Sequence, residues 1–136
     1  MMIKGGLVSI TFRKLSPKEI VDLLVQSEVS AVEWGGDVHV PHGDVAAAKS
    51  TAKMCVDAGI DVAAYGSYYR VAESEAEGLS FQSVLDCAVA LNTPTIRVWA
   101  GKKGSADADE GYRAKVVEDS LRIADMAKTA GVTVAY

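Results

Sequence analysis

Five side chains of this 136-residue sequence are suited to holding a small polar molecule. Glu33, Arg97 and Trp99 end two short apolar runs, Tyr65 ends a third, and His39 lies in a polar loop after the first of them. A carboxylate, an imidazole and a guanidinium can bind hydroxyl groups, and an aromatic ring can cover an apolar face. We therefore predict that these five residues bind substrate, and we predict no catalytic residue and no metal ligand.

Glu33 and Arg97 have two possible roles. An unpaired charge inside a protein is strongly destabilising, so each of them needs a partner or an opening to solvent. If they lie side by side, they form a structural ion pair. If they line the mouth of a pocket, they face the substrate. The sequence leaves both possibilities open.

The loop 35–44, Gly-Gly-Asp-Val-His-Val-Pro-His-Gly-Asp, suggests a metal site because it contains two histidines and two aspartates. Its spacing is much less specific than that of two histidines on one helix face with an acidic partner. We expect instead that His39 hydrogen-bonds to substrate or backbone, that Asp44 caps a helix and that His42 is exposed.

Two further segments contain groups that could bind a ligand. In Tyr-Gly-Ser-Tyr-Tyr-Arg, residues 65–70, Tyr65 either forms an aromatic wall or packs under the next helix, whereas Tyr68 and Tyr69 are expected to pack or be exposed. The Gly-Lys-Lys-Gly-Ser run at 101–105 exposes backbone N–H groups and positive charge. It matches no phosphate-loop spacing, and we expect a solvated loop.

The elements that must position these residues alternate along the chain between β-like and helical patterns. This alternation is typical of parallel βαβ units. A helix must start at Ser16-Pro17-Lys18-Glu19, which supplies an N-cap, a first-turn proline and a capping-box glutamate. The predicted strands cover residues 5–12, 31–34, 61–66, 95–99 and 132–136, and the later helices about 44–58, 80–91 and 110–130.

Two α/β architectures fit this pattern: half of a (β/α)8 barrel with four βα units and a fifth strand, or a flavodoxin-like doubly wound sheet. Residues alternate between the two faces of each strand, and we assign one set to the helices and the other to the opposite face. The second set becomes polar toward the strand ends, which favours the barrel, because a doubly wound sheet is apolar on both faces. The helix-facing set is Val8, Ile10, Val32, Trp34, Val62, Ala64, Ile96 and Val98. The opposite set is Ser9, Thr11, Ala31, Glu33, Ala63, Tyr65, Arg97 and Trp99.

Composition excludes several classes of function. The net charge of −4 and the absence of a basic stripe argue against a nucleic-acid partner, and no long apolar run suggests a membrane segment or a signal peptide. Cys55 and Cys87 lie in helical patterns as small apolar residues. Neither a dinucleotide-binding glycine pattern nor a serine-nucleophile motif is present. We expect a single cytoplasmic domain, residues 1–136.

Four segments, in their order and spacing, resemble the first half of the sugar phosphate isomerases/epimerases of the xylose-isomerase-like superfamily. They are GGLVSITFRKLSPKEIVDL, AVEWGGDVHVPHGD, VAAYGSYYR and TPTIRVWAG. The resemblance implies a TIM barrel, a carbohydrate or sugar phosphate as substrate, and isomerisation or epimerisation. It implies proton transfer beside a carbonyl through an enediolate that a divalent Mn, Mg, Co or Zn ion stabilises.

In this resemblance, the metal ligands and catalytic glutamates belong to strands five to eight, and the first such glutamate would follow Tyr136. We therefore expect no cofactor in this chain and no activity from the chain alone. The alternative is a non-catalytic half-barrel module that self-associates or binds a small ligand. Because a half-barrel has unpaired edge strands, we expect a homo-oligomer formed through these edges.

Overall fold

Strands and helices alternate throughout the computed structural model, which describes residues 3–136. The strands are β1 (Gly6–Val8), β2 (Ala31–Gly35), β3 (Asp61–Arg70), β4 (Thr95–Trp99) and β5 (Thr133–Ala135). The α-helices are α1 (Pro17–Gln26), α2 (Val45–Ala58), α3 (Phe81–Leu91) and α4 (Glu110–Thr129), and a 3-10 helix, Ser9–Phe12, follows β1.

Polar caps fix where the α-helices begin. Ser16 and Glu19 form the predicted capping box at α1, and Asp44 accepts a hydrogen bond from the N–H of Ala47 at α2. Ser80 and Asp109 cap α3 and α4 in the same way. These side chains satisfy N–H groups that have no partner within their own helix. No helix within residues 3–136 is both long enough and apolar enough to cross a bilayer.

The five strands form one parallel sheet in the order β1-β2-β3-β4-β5. Each strand pairs with the next one in the sequence, as in a TIM barrel. A flavodoxin-like sheet would place the first strand inside the sheet, because its chain reverses direction after the first crossover. The half-barrel prediction is therefore confirmed, and the doubly wound alternative is wrong.

The hydrophobic core lies between the sheet and its helices. Trp34, Tyr65 and Ile96 are paired in register across β2, β3 and β4, and each is fully buried. Ile20 of α1 and Phe81 of α3 belong to the same buried cluster. Burial of such large side chains contributes about 1.5–3 kcal/mol each, so this layer is a main source of stability.

Face assignments made from alternation are wrong in two strands. In β1, Leu7 is in register with buried Val32, whereas Val8 pairs with Glu33 and is 38% exposed, so Val8 lies on the face opposite the helices. In β3, the register shifts by one residue after Val62, which reverses the alternation. Ala64 therefore pairs with Glu33 on the face opposite the helices, and Tyr65 pairs with Trp34 and faces the helices. A bulge of this kind leaves no clear signal in the residue pattern.

The ends of two strands also differ from the prediction. The first strand stops at Val8, and the next residues turn into the 3-10 helix instead of extending the strand. The third strand continues to Arg70, four residues beyond the predicted end at Gly66. Both differences occur at the carboxyl end of the sheet, where they bring additional side chains near Glu33 and Arg97.

The two cysteines should not react with a thiol reagent in the folded protein. Cys55 and Cys87 are free and buried, and burial raises the pKa of both thiols, so little thiolate is present. We expect no labelling by a disulfide reagent at about pH 8 and complete labelling after unfolding in guanidinium. Rapid labelling of the native protein would contradict the buried positions.

Candidate functional site

An ion pair connects β2 with β4 on the face of the sheet opposite the helices, here called the inner face. Arg97 donates from Nε and Nη2 to Oε1 of Glu33, at 3.0 and 2.7 Å. The hydrogen bond to Glu33 raises the pKa of Arg97, although burial opposes it, so the guanidinium stays charged. The side chains of Glu33 and Arg97 are 17% and 31% exposed. The pair anticipated as one alternative is formed, and it remains open to solvent.

Gly66 makes room for this ion pair. It lies on β3 between the two charged residues and is in register with Arg97. A Cβ atom at Gly66 would come within 2.5 Å of Oε1 of Glu33 and 3.2 Å of Nη2 of Arg97. Only a residue without a side chain lets Glu33 and Arg97 meet across the intervening strand.

Two aromatic rings lie beside the ion pair. The guanidinium of Arg97 lies 5.7 Å from the centre of the Trp99 ring, within the range of a cation–π interaction. The ring of Tyr68 lies 6.5 Å from that of Trp99, and Trp99 is 47% exposed. Sequence reasoning assigned Tyr68 to packing or exposure, but its ring contributes to this inner-face surface.

A second ion pair closes the other side of this surface. Arg13 lies just beyond the 3-10 helix and contacts Asp37 through Nη1, while its Nη2 donates to the hydroxyl of Tyr68 at 3.1 Å. The hydrogen bond with Asp37 raises the pKa of Arg13. Arg13 and Asp37 were not predicted site residues. Each lies a few residues beyond the end of a strand, and Asp37 also belongs to the loop 35–44 that was considered for a metal.

These contacts form one continuous group, which we call the carboxyl-edge cluster. It is held together by two ion pairs and a pair of aromatic rings, and it spans the loops and strands from β1 to β4. Its members are Arg13, Glu33, Asp37, Tyr68, Arg97 and Trp99. In parallel α/β sheets, ligands bind at the carboxyl ends of strands, where this cluster lies.

His39 is bonded to the protein through both ring nitrogens. Nδ1 lies 2.9 Å from the hydroxyl of Ser9, and Nε2 lies 3.1 Å from the carbonyl oxygen of Leu15. The ring is 6% exposed and meets Trp34 edge-on. The hydrogen bond to backbone that the sequence suggested is therefore present. Contact of His39 with a substrate stays a prediction.

Tyr65 and His42 stabilise the loop that follows β2. Tyr65 is fully buried and donates its hydroxyl to the carbonyl oxygen of Val40 at 2.8 Å. His42 was expected to be exposed, but its Nε2 bonds the carbonyl oxygen of Ser67 and its ring lies edge-on to Tyr65. Because Tyr65 faces the helices, it does not belong to the carboxyl-edge cluster.

α4 fixes the segment that follows β3. Asp119 accepts a hydrogen bond from the N–H of Ala72 at 2.7 Å, and Arg122 donates to the hydroxyl of Tyr69 at 3.0 Å. Arg122 also pairs with Glu75 at 3.0 Å. Tyr69 follows Tyr68 directly, so these bonds restrain the backbone that carries Tyr68 into the cluster.

Within residues 3–136, no group of three or more His, Cys, Asp or Glu side chains is placed to hold a metal ion. The two carboxylates of the carboxyl-edge cluster, Glu33 and Asp37, are each engaged by an arginine. The described residues therefore do not fit a resident metal centre.

No family model matches the sequence, and no curated protein is significantly similar to it. Solved structures do share its fold. One is the probable 3-DHS dehydratase AsbF of Bacillus anthracis, with a TM-score of 0.77 and 20% identity over 97% of this chain and 51% of AsbF. Another is a D-psicose 3-epimerase determined with D-fructose, with a TM-score of 0.72 and 18% identity over 97% of this chain and 51% of the epimerase.

A third structure is a xylose isomerase domain protein of Salmonella typhimurium. It has a TM-score of 0.71 and 16% identity, over 98% of this chain and 50% of the Salmonella chain. This chain thus spans about half the length of these structures. At such identities, the likeness establishes the fold alone: the chain has the architecture of half a TIM barrel.

Replacement of Gly66 by alanine should break the ion pair. The new methyl group would displace Glu33 or Arg97, and overpacking of this kind costs about 1–3 kcal/mol of unfolding free energy. Gly104→Ala is a matched control, because a Cβ atom there meets only Asp107 at 3.7 Å. Urea denaturation should show a loss for Gly66→Ala and a change within about 0.5 kcal/mol for Gly104→Ala. Equal stability of both variants would contradict the role given to Gly66.

Proposed function

We propose that this chain supplies the substrate-binding part of a sugar isomerase or epimerase, and that the carboxyl-edge cluster contacts a carbohydrate. The observation that carries the proposal is the pairing of Glu33 and Arg97 beside the half-exposed ring of Trp99. A monosaccharide has hydroxyl groups around its edge and C–H groups on its faces. The cluster offers charged groups for the former and aromatic rings for the latter.

Hydrogen-bonding capacity remains on both partners of the ion pair. Both bonds from Arg97 go to Oε1 of Glu33, so Oε2 of Glu33 takes neither of them. Nη1 of Arg97 takes no part in them either. A ligand hydroxyl can therefore donate to Oε2 of Glu33 while another accepts from Arg97. The pair orients these groups in advance, which lowers the entropy lost on binding.

The solved structures of similar fold support a carbohydrate as the ligand. One was determined as a D-psicose 3-epimerase with D-fructose, and another is a xylose isomerase domain protein. The proposed reaction is the transfer of a proton between carbons beside a carbonyl. A divalent cation bound in such an enzyme would supply stabilisation of the negative charge that develops. No step through a cation is assigned to residues 3–136, which do not fit a metal centre. Their role is to bind and orient the substrate.

Binding of D-fructose, D-psicose and D-xylose to the full chain tests this role. We expect saturable NMR shifts of the indole N–H of Trp99, which is exposed, and no shift of that of Trp34, which is buried. Glu33→Gln and Arg97→Met should each weaken binding about tenfold, equivalent to the loss of one charge-assisted hydrogen bond. The unfolding free energy should fall by about 1–3 kcal/mol, because the remaining partner loses its ion pair.

Lys53→Ala is the control for these variants, since Lys53 forms an exposed ion pair with Asp57 on α2, away from the strand ends. It should leave both the dissociation constant and the stability unchanged. If Glu33→Gln and Arg97→Met destabilise the protein while the affinity stays constant, the pair is structural only. If no sugar shifts the Trp99 signal, the proposed function is wrong.

A second candidate is a self-associating half-barrel, as the sequence suggested. β1 and β5 each pair on one side only among the described strands, and such open edges are templates for further pairing. Trp99 and Val8 expose apolar surface on the inner face. We propose that a second copy of this chain covers these edges and the inner face, because two copies of half a barrel can close a ring around a two-fold axis. Two copies bring ten strands to a ring of eight, so β5 would be displaced or frayed.

The oligomeric state and the protection of β5 test this candidate. Light scattering over a dilution series should show dimers or larger species that dissociate at low concentration. Hydrogen exchange should be fastest at residues 132–136, since a displaced strand loses its ladder bonds. A monomer that persists at micromolar concentration with residues 132–136 protected would contradict self-association without affecting the sugar-binding proposal.

A further inference from the structure

The segment Ser9–Leu15, here called the β1 arm, is fastened at both of its ends by one side chain. His39 contacts the hydroxyl of Ser9 at 2.9 Å and the carbonyl oxygen of Leu15 at 3.1 Å. Ser9 and His39 are 0% and 6% exposed, so water hardly competes for these bonds. The residues between the two fastened ends, including Arg13, are largely exposed.

The hydrogen bonds around His39 fix which ring nitrogen carries the proton. A carbonyl oxygen can only accept, so Nε2 donates to Leu15. In a neutral ring protonated at Nε2, Nδ1 accepts the hydroxyl proton of Ser9, and the oxygen of that hydroxyl accepts from the N–H of Gly35 at 2.9 Å. With His39 as the Nε2–H tautomer, the chain of donors runs from Gly35 through Ser9 and His39 to Leu15.

The fastened arm brings Arg13 to the carboxyl-edge cluster. Its guanidinium contacts Asp37 and the hydroxyl of Tyr68, and the side chain is still 49% exposed. A guanidinium has five N–H groups, so several remain free to meet a ligand. Tyr68 has a φ of 58°, in the left-handed region that residues with a side chain adopt uncommonly. The protein thus tolerates local backbone strain where the tyrosine meets Arg13.

We propose that Arg13 is a ligand-contacting residue of the carbohydrate site and that His39 is the positioning residue that presents it, by holding the β1 arm in the Nε2–H tautomer. This inference rests on the proposed carbohydrate binding for its ligand. His39 was predicted to bind the substrate itself. In this proposal it affects the ligand only indirectly, by holding the arm that carries Arg13.

Three variants separate the two roles. Arg13→Gln removes the charge and leaves the arm fastened. His39→Leu removes both of the bonds that fasten the arm, and His39→Asn keeps an acceptor for Ser9 while losing the reach to Leu15, so it serves if the leucine variant fails to fold. Lys53→Ala is again the control. All are made in the full chain.

Two measurements address the arm without any ligand. Nitrogen-15 NMR of the histidine rings should show His39 protonated at Nε2 and unprotonated at Nδ1. Trypsin should cut after Lys14, within the arm, about tenfold faster in the His39 variants than in the parent or in Arg13→Gln, since a tenfold rate reports a local opening easier by about 1.4 kcal/mol. An Nδ1–H tautomer, or equal cleavage of all variants, would overturn the role of His39.

Ligand titration then tests Arg13. With the sugar that shifts the Trp99 signal, Arg13→Gln and the His39 variants should raise the dissociation constant by about tenfold at a temperature where all remain folded. If Arg13→Gln binds the sugar as tightly as the parent while Glu33→Gln binds it more weakly, this inference is wrong and the proposed function still holds. If the parent protein binds no sugar, both the proposed function and this inference are wrong.

Discussion

The ion pair between Glu33 and Arg97 is the constraint to which the rest of the inner face conforms. It spans from β2 to β4 and therefore passes over β3. The residue of β3 beneath the pair must have no side chain, and Gly66 meets this requirement. The pair also orients Arg97 under Trp99, and Trp99 in turn packs near Tyr68. A partly buried ion pair adds little to stability by itself, because desolvation offsets much of the attraction. Its main consequence here is geometric.

The two faces of the sheet have different roles: the face against the helices contributes stability, and the inner face carries the candidate site. Trp34, Tyr65 and Ile96 form a buried row against the helices and contribute to stability through apolar burial. The inner face carries Gly66, the charged pair and the exposed ring of Trp99. Charges of this kind are costly in a core but suited to a ligand. Because the row and the ion pair use alternate positions of the same strands, a substitution on one face disturbs the other only through the backbone. This separation explains why polar residues are tolerated so close to the core.

Local signals predicted most of the fold, whereas the site was predicted only in part. The caps at Ser16 and Asp44 and the alternation of elements identified the βα units, because both are encoded within a few residues. The one-residue shift in β3 was not predictable from alternation, so Tyr65 was assigned to the wrong face. Arg13 and Tyr68 were missed for another reason. Each comes into place through a tertiary contact, Arg13 through the arm and Tyr68 through an extended β3, and neither contact is visible in the spacing of residues.

A pair of adjacent glycines shows how such a site could be recognised. Gly35 and Gly66 are in register on β2 and β3, and both lie where a side chain would collide with a functional neighbour. A Cβ atom on Gly35 would meet Ile10 of the β1 arm at 2.5 Å, just as one on Gly66 would meet Glu33 at 2.5 Å. Gly35 thus leaves space for the β1 arm, and Gly66 leaves space for the ion pair. The arm and the ion pair therefore both lie over a part of the sheet that has no side chains. Glycines at the ends of neighbouring parallel strands, where no turn requires them, therefore indicate that another element or a ligand approaches the backbone closely.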